Sequence, residues 1–305
     1  MSNNVSHQRG DLIPENMQPQ RDSGYDDREI DLDFSQVDSL NRVTMHLLWN
    51  QYLLSTIIVS VCALAIVSLS LYFFEPQITI SSVIVAFILV SLHIGRIRKK
   101  SAEWFMKKFA EYNDLDYVGD IFPEELTGGL FQRGYKRKAT NAVITEINGH
   151  PLKLFYYQYS IKRGRHSVTY KFTVLEIGFE KTLFPHIHLH AQSKRERYSR
   201  SQANEEEVPL ENEFANHYRL FVRDGYQTEV LQIFDHDTLR FLIKEAPDMS
   251  IEFAENKMYI YREKTVTNRQ ELQTIFQTGE DIIHRMGPLL NRLENDFAVL
   301  HRYYR

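Results

Sequence analysis

Apolar residues run without a charge from Leu53 to Phe74 and again from Ile78 to Ile94, with only Glu75, Pro76 and Gln77 between the two stretches. A helix of roughly 17 to 25 apolar residues crosses a hydrocarbon core about 30 Å thick, so the pattern predicts a transmembrane hairpin with a minimal connector. Upstream, Leu40, Val43, Leu47 and Leu48 recur at helical spacing and lead into the first span. Residues 1–34 are polar and acidic, too poor in apolar surface to offset the entropy of ordering, and are expected to be a disordered tail. The chain thus divides into that tail, a lead-in and hairpin over 35–95 (spans 53–74 and 78–94), and a cytosolic domain over 96–305.

After the hairpin the period is first helical: Ala102, Phe105, Phe109 and Tyr112 share a face. It then becomes that of strands. Segments 139–147 and 152–160 flank Asn148-Gly149, a dipeptide that suits a type I′ turn, where both central residues need positive φ. Segments 168–179 and 185–191 follow, giving a four-strand antiparallel meander. Segment 193–212, with Lys194-Arg195-Glu196-Arg197 and Glu205-Glu206-Glu207, lacks periodicity and reads as a long charged loop. Strand character returns at 218–222.

Asp235 or Asp237 is placed to cap a helix ending near Glu245, before Pro247, and 249–253 with 258–261 forms a hairpin. From about Asn268 the chain is helical, with Leu272, Phe276, Gly279, Ile283, Met286, Leu290, Leu293, Phe297 and Leu300 in a heptad seam. Gly287-Pro288 is expected to kink or split that helix. The seam covers one face of the sheet, or forms a coiled coil with a second copy. The fold class expected is α+β: a mostly antiparallel sheet of roughly six to eight strands under C-terminal helices, hung on the hairpin. A small barrel resembling a pleckstrin-homology domain is the alternative.

The order Glu213-Phe214, 218–224, 229–233, 238–242, Ile251-Glu252-Phe253 and Lys257-Met258-Tyr259-Ile260, closed by a helical region, resembles the tail of an uncharacterised bacterial membrane-protein family, a domain of unknown function. The resemblance covers about two thirds of the chain and implies a layout, two N-terminal spans and a cytosolic α+β domain beginning near Trp104, with no catalytic residue.

Charge sets the orientation. Arg96, Arg98, Lys99, Lys100, Lys107 and Lys108 follow the second span, Arg28 and Arg42 precede the first, and the connector has neither Lys nor Arg. The positive-inside rule places both termini in the cytoplasm of a multi-pass protein of the cell membrane. Trp49 and Tyr52, and Tyr72, Phe73 and Phe74, suit the two interfaces. The six cations after the span form a lipid-facing basic collar, explained by stop-transfer anchoring or by recognition of anionic head groups. The whole chain has 36 basic and 40 acidic residues, with four and nine of them before residue 47, so the domain is nearly neutral and nucleic acid is not an expected partner. Cys62, the only cysteine, lies in the first span and excludes a disulfide framework or thiolate metal cluster.

One constellation could carry chemistry. In His186-Ile187-His188-Leu189-His190, strand alternation sends all three imidazoles to one side while Ile187, Leu189 and Ala191 pack inward. Such a strand could offer ligands to zinc, completed by His166, His217 or a Glu; a solvent-facing polar side of a half-exposed sheet explains the alternation equally simply. No other cofactor is indicated: phosphate-binding glycine loops, His-Glu-x-x-His and Gly-x-Ser-x-Gly are all absent from the sequence. Asp235-His236-Asp237 reads as capping rather than acid-base chemistry, and Tyr156, Tyr157 and Tyr159 as sheet core rather than a base-stacking platform.

Three functions follow. The first is a membrane-anchored cytosolic interaction or regulatory module that binds a protein or lipid head group near the inner leaflet. The second is a metal-dependent enzyme built on the histidine strand; the residues favour a non-enzyme. A channel or transporter subunit is disfavoured, because the spans carry no ionisable residue near mid-membrane.

Overall fold

The computed structural model describes residues 52–73, 76–147, 149–179, 183–192, 205–211, 213–266 and 268–303, and their side chains except those of 73–79, 147 and 287–303. The acidic tail and the helical lead-in lie outside the described residues. Helix α1 (Leu53–Phe73) and helix α2 (Pro76–Tyr112) are both long and apolar enough to cross a membrane. They lie side by side: Ser70 Oγ is 2.6 Å from Ser82 Oγ near one end and Thr56 Oγ1 is 3.2 Å from His93 Nε2 near the other. At 37 residues, α2 is about 55 Å long. It leaves the apolar segment without a break and drives Phe105, Met106 and Phe109 into the core of the sheet domain.

Among the described residues the domain is an open nine-stranded antiparallel sheet, ordered β1-β2-β3-β4-β9-β8-β5-β7-β6. Strands β1 to β4 (Asp116–Ile121, Tyr135–Ile147, His150–Arg163, His166–Gly178) form a meander. The tight turn between β2 and β3 falls where Asn148-Gly149 predicts it, with Gly149 at φ 75°. Strand β5 (Phe184–Ala191) is not the fourth strand of that meander. The hairpin β8 (Met249–Glu255) and β9 (Lys257–Arg262) inserts between them, β9 pairing with β4 and β8 with β5. A local turn rule cannot foresee this, because the inserted hairpin lies some seventy positions on. Strand β7 (Tyr218–Arg223) follows β5, and β6 (Glu205–Val208) forms the far edge. Part of the expected charged loop is therefore a strand whose Glu205 and Val208 point inward. With β1 and β6 at opposite edges, the sheet does not close into a barrel among the described residues.

Both faces are covered. On one, Leu154, Leu175, Leu189, Leu220, Ile251 and Ile260 pack against the end of α2 and the short helices α3 (Phe214–His217), α4 (Gln227–Ile233) and α5 (His236–Glu245). Asp235 caps α5, accepting the Thr238 N–H at 2.8 Å. The same face is closed by α6 (Arg269–Tyr303), which runs unsplit through Gly287-Pro288. The described half of the heptad seam faces this sheet: Leu272, Phe276, Ile283 and Met286 are buried, and a Cβ on Gly279 would sit 2.7 Å from Leu175 Cδ2. That half is an internal seam rather than a surface for a second copy; the side chains of 290–300 lie outside the described residues.

The other face holds Phe155, Tyr157, Tyr159, Phe172, Tyr259 and Tyr261. A strap of two 3-10 turns, Pro123–Glu125 and Gly129–Gln132, crosses it and inserts Leu126, Leu130 and Phe131. The tyrosines proposed as core are core: Tyr159 stacks on Phe172 at 5.7 Å, and the buried Tyr157 hydroxyl donates to the Phe131 carbonyl.

Candidate functional site

Strand alternation places His186, His188 and His190 on the strap-covered face and Ile187, Leu189 and Ala191 in the helix-covered core. The histidines do not face solvent: His188 is 1% exposed and His186 and His190 are also buried. The half-exposed sheet expected from the alternation is corrected by the strap and by neighbours on β7, β8 and β9, which cover a face that one strand's pattern cannot assign.

Glutamates reach His186 from both sides. Nε2 lies 2.6 Å from Glu252 Oε1, and Nδ1 lies 2.5 Å from Glu205 Oε1, with both carboxylates fully buried. Glu252 stands in mid-β8 and also accepts the backbone N–H groups of Gly129 and Leu130. Gly128 makes this approach possible, since a Cβ there would come within 3.2 Å of the Glu252 carboxyl carbon. Next to this cradle, the Tyr259 hydroxyl is 3.2 Å from Thr127 Oγ1. A single carboxylate thus ties the strap to β8 and, through His186, to β5 and edge strand β6.

The electrostatics divide the histidines. Burial alone would depress the His186 imidazolium, but the adjoining Glu205 and Glu252 carboxylates outweigh it and raise its pKa to about 9. His186 is therefore protonated at neutral pH between two carboxylates. Burial, with the nearby His190, Arg133 and His186, pushes His188 well below the ordinary histidine value. Its Nε2 shares a 2.6 Å hydrogen bond with the Tyr261 hydroxyl, and its ring meets His190 edge-on at 5.4 Å.

A metal at His186 would have to displace a carboxylate from one of its nitrogens. Among the described residues, no three His, Cys, Asp or Glu side chains are grouped to hold a metal. Of the residues considered as completing ligands, His166 stands at the β3–β4 turn and His217 ends α3. Glu205 and Glu252, the real partners, escaped sequence reasoning. The one available signal was Glu252, an acid flanked by the apolar Ile251 and Phe253 in mid-strand.

The basic collar divides in two along α2. Arg96, Arg98, Lys99 and Lys100 are exposed within about 9 Å of Ile94 along the helix axis. Lys107 and Lys108 stand about 20 Å beyond it, paired with Glu103 at 2.7 Å and Glu111 at 2.6 Å. The first group directly follows the apolar segment; the second belongs to the domain surface.

No family model matches the chain, and no curated protein matches it. The resemblance to the bacterial family therefore rests on the residues that suggested it, while the coarser layout of two apolar helices and an α+β domain stands on the structure. Among solved structures, the mycobacterial trehalose monomycolate transport factor A, TtfA, is similar at 14% identity and a TM-score of 0.45, over 60% of this chain and 94% of that one. At that score the likeness carries no argument about this chain.

Proposed function

We propose that this protein is a membrane-anchored interaction module, its termini in the cytoplasm and its sheet domain binding a protein or lipid head group near the inner leaflet. The observation that carries the reading is α2, one unbroken helix that begins as an apolar span and ends inside the domain core at Phe105 and Phe109. Such a helix holds the domain at a fixed height instead of tethering it through a flexible linker. Arg96, Arg98, Lys99 and Lys100 supply charge where an anionic leaflet would meet it. The buried histidines are engaged in joining strands, so the chemistry nearest to a catalytic constellation serves architecture.

Alkaline extraction and protease protection of the full chain in native membranes test the anchoring. The protein should stay with the bilayer, with tags on both termini digested from the cytoplasmic side only. Release without detergent, or termini on opposite sides, would overturn it. Photocrosslinkers on the exposed domain surface test the interaction: a specific protein or lipid adduct is expected, and none at any position would leave anchoring without the module.

A further inference from the structure

The β3–β4 hairpin projects beyond its neighbours. Strand β2 pairs with β3 only as far as Tyr135↔Ser160, and β9 pairs with β4 only from Thr173, so among the described residues the rungs Ile161↔Val168, Lys162↔Ser167 and Arg163↔His166 have no strand on either side. Its tip reads Lys162-Arg163-Gly164-Arg165-His166, all exposed. Between Leu126 and Leu175 the only acid is Glu146, which pairs with Pro151 at the opposite end of the sheet. Acids from other segments near this end include Asp120 and Glu124 on the β1 side, Glu263 in an open cleft of about 610 Å³ beside Arg163, Tyr170 and Lys171, and Glu271, which is paired with Lys264 of that cleft.

Two features gather these cations. Strand β2 slips register between Tyr135 and Lys138, and within that bulge Lys136 adopts φ 54°, an unusual conformation for a residue with a side chain. The bulge carries the Lys136 ammonium to within 5.8 Å of the Tyr135 ring centre, and Lys162 reaches the same ring at 5.8 Å. Tyr135 is itself held by its hydroxyl on Ser167 Oγ at 2.8 Å, and Arg163 by the Tyr170 hydroxyl at 2.8 Å. Like charges arranged around one ring at an exposed tip match a ligand rich in negative oxygen.

The tip also points the right way. Strand β1 folds back along α2: the Tyr117 ring lies 5.2 Å from Lys107 Nζ, and its hydroxyl donates to Asn141 Oδ1 at 3.1 Å. From Asn141 to Arg163 the ladder extends by about eight residues, roughly 26 Å, toward the span. Glu103, whose charge is felt by the Tyr117 phenol, stands only about 14 Å beyond Ile94 along α2. The hairpin therefore has the reach to meet the head-group layer even with its strands tilted by some tens of degrees.

We propose that the β3–β4 tip is a second membrane contact that binds anionic phospholipid head groups through Lys136, Lys162, Arg163 and Arg165. This rests on the membrane-anchored reading above. Helix α2 and the tip would then hold the domain at two points, fixing its rotation as well as its height.

The test uses the full chain in nanodiscs, with Cys62→Ala and a single reporter cysteine carrying an environment-sensitive label. His166→Cys reports the tip; Phe87→Cys, exposed in the middle of the apolar segment of α2, reports anchoring. In discs containing phosphatidylglycerol the tip label should be shielded from an aqueous quencher, and in pure phosphatidylcholine it should not. Lys136→Gln, Lys162→Gln, Arg163→Gln and Arg165→Gln together should cut that shielding at least about tenfold, since each cation near an anionic leaflet is worth about a fivefold gain. These residues are exposed, and an unchanged circular dichroism spectrum would confirm the fold. A tip label insensitive to lipid charge beside a shielded Phe87 label would overturn the hairpin contact and leave the anchoring intact. A quenched Phe87 label would sink the anchoring itself. An equal response to inorganic phosphate in phosphatidylcholine discs would assign the site to a soluble anion and overturn the lipid assignment.

Discussion

His186 Nε2 and Glu252 Oε1 are 2.6 Å apart in the closed interior of the sheet, joining β5 to β8 across 66 positions of sequence. Two buried carboxylates share this imidazole, so its removal does more than delete a contact. His186→Ala should destabilise the domain by about 3–5 kcal/mol, because the buried Glu205 and Glu252 would lose the imidazolium that stands between them. Thermal unfolding of the detergent-solubilised protein checks this. A loss under 1 kcal/mol would show that water or another group neutralises the pair.

The same cluster makes stability depend on pH. His186 is raised from 6.5 to about 9 on folding, so its contribution is complete below about pH 6.5 and disappears as the pH climbs through about 9. The shift corresponds to roughly 3 kcal/mol at most. Melting temperature should therefore fall between pH 7 and 9.5 in the natural protein and stay flatter over that range in His186→Gln. Parallel profiles for the two proteins would remove His186 as the cause.

Gly279 separates the two readings of the C-terminal seam. Its missing side chain lets α6 lie against Leu175 and Ile177, so Gly279→Leu should overpack this contact and cost about 1–3 kcal/mol, seen as a lower melting temperature. If the segment were instead a coiled coil between copies, leucine at that seam position would strengthen association, and sedimentation would show a tighter dimer.

Metal analysis bears on the enzymatic alternative. Elemental analysis of the tag-free protein should give well below one zinc per chain, because a carboxylate faces each nitrogen of His186 and Tyr261 holds Nε2 of His188. Stoichiometric zinc that vanishes in the variant His186→Ala, His188→Ala, His190→Ala would restore a metal site on this strand.

The local rules were legible wherever one segment contains its own reason. Charge-free runs of spanning length gave α1 and α2, Asn148-Gly149 gave the β2–β3 turn, and a cap at Asp235 or Asp237 was legible, of which Asp235 is the one that caps α5. Periodicity also assigned Ile187, Leu189 and Ala191 to the core and the three histidines to the opposite face. What it could not say was what covers that face.

Only the tertiary structure decided that. The strap over residues 123–132 buries a side of the sheet that one strand's alternation leaves equally open to water, and the β8–β9 hairpin enters between β4 and β5 from late in the chain. Glu205 in an apparent charged loop and Glu252 in an apolar strand meet His186 through long-range pairing, and no spacing rule connects them. The sequence by itself determined the long helices, the hairpin strands and the faces that point inward, because helix and strand periods act over a few residues. Which strands are neighbours, and which buried charges find a partner, is set by packing between segments distant in sequence, where local periodicity carries no information.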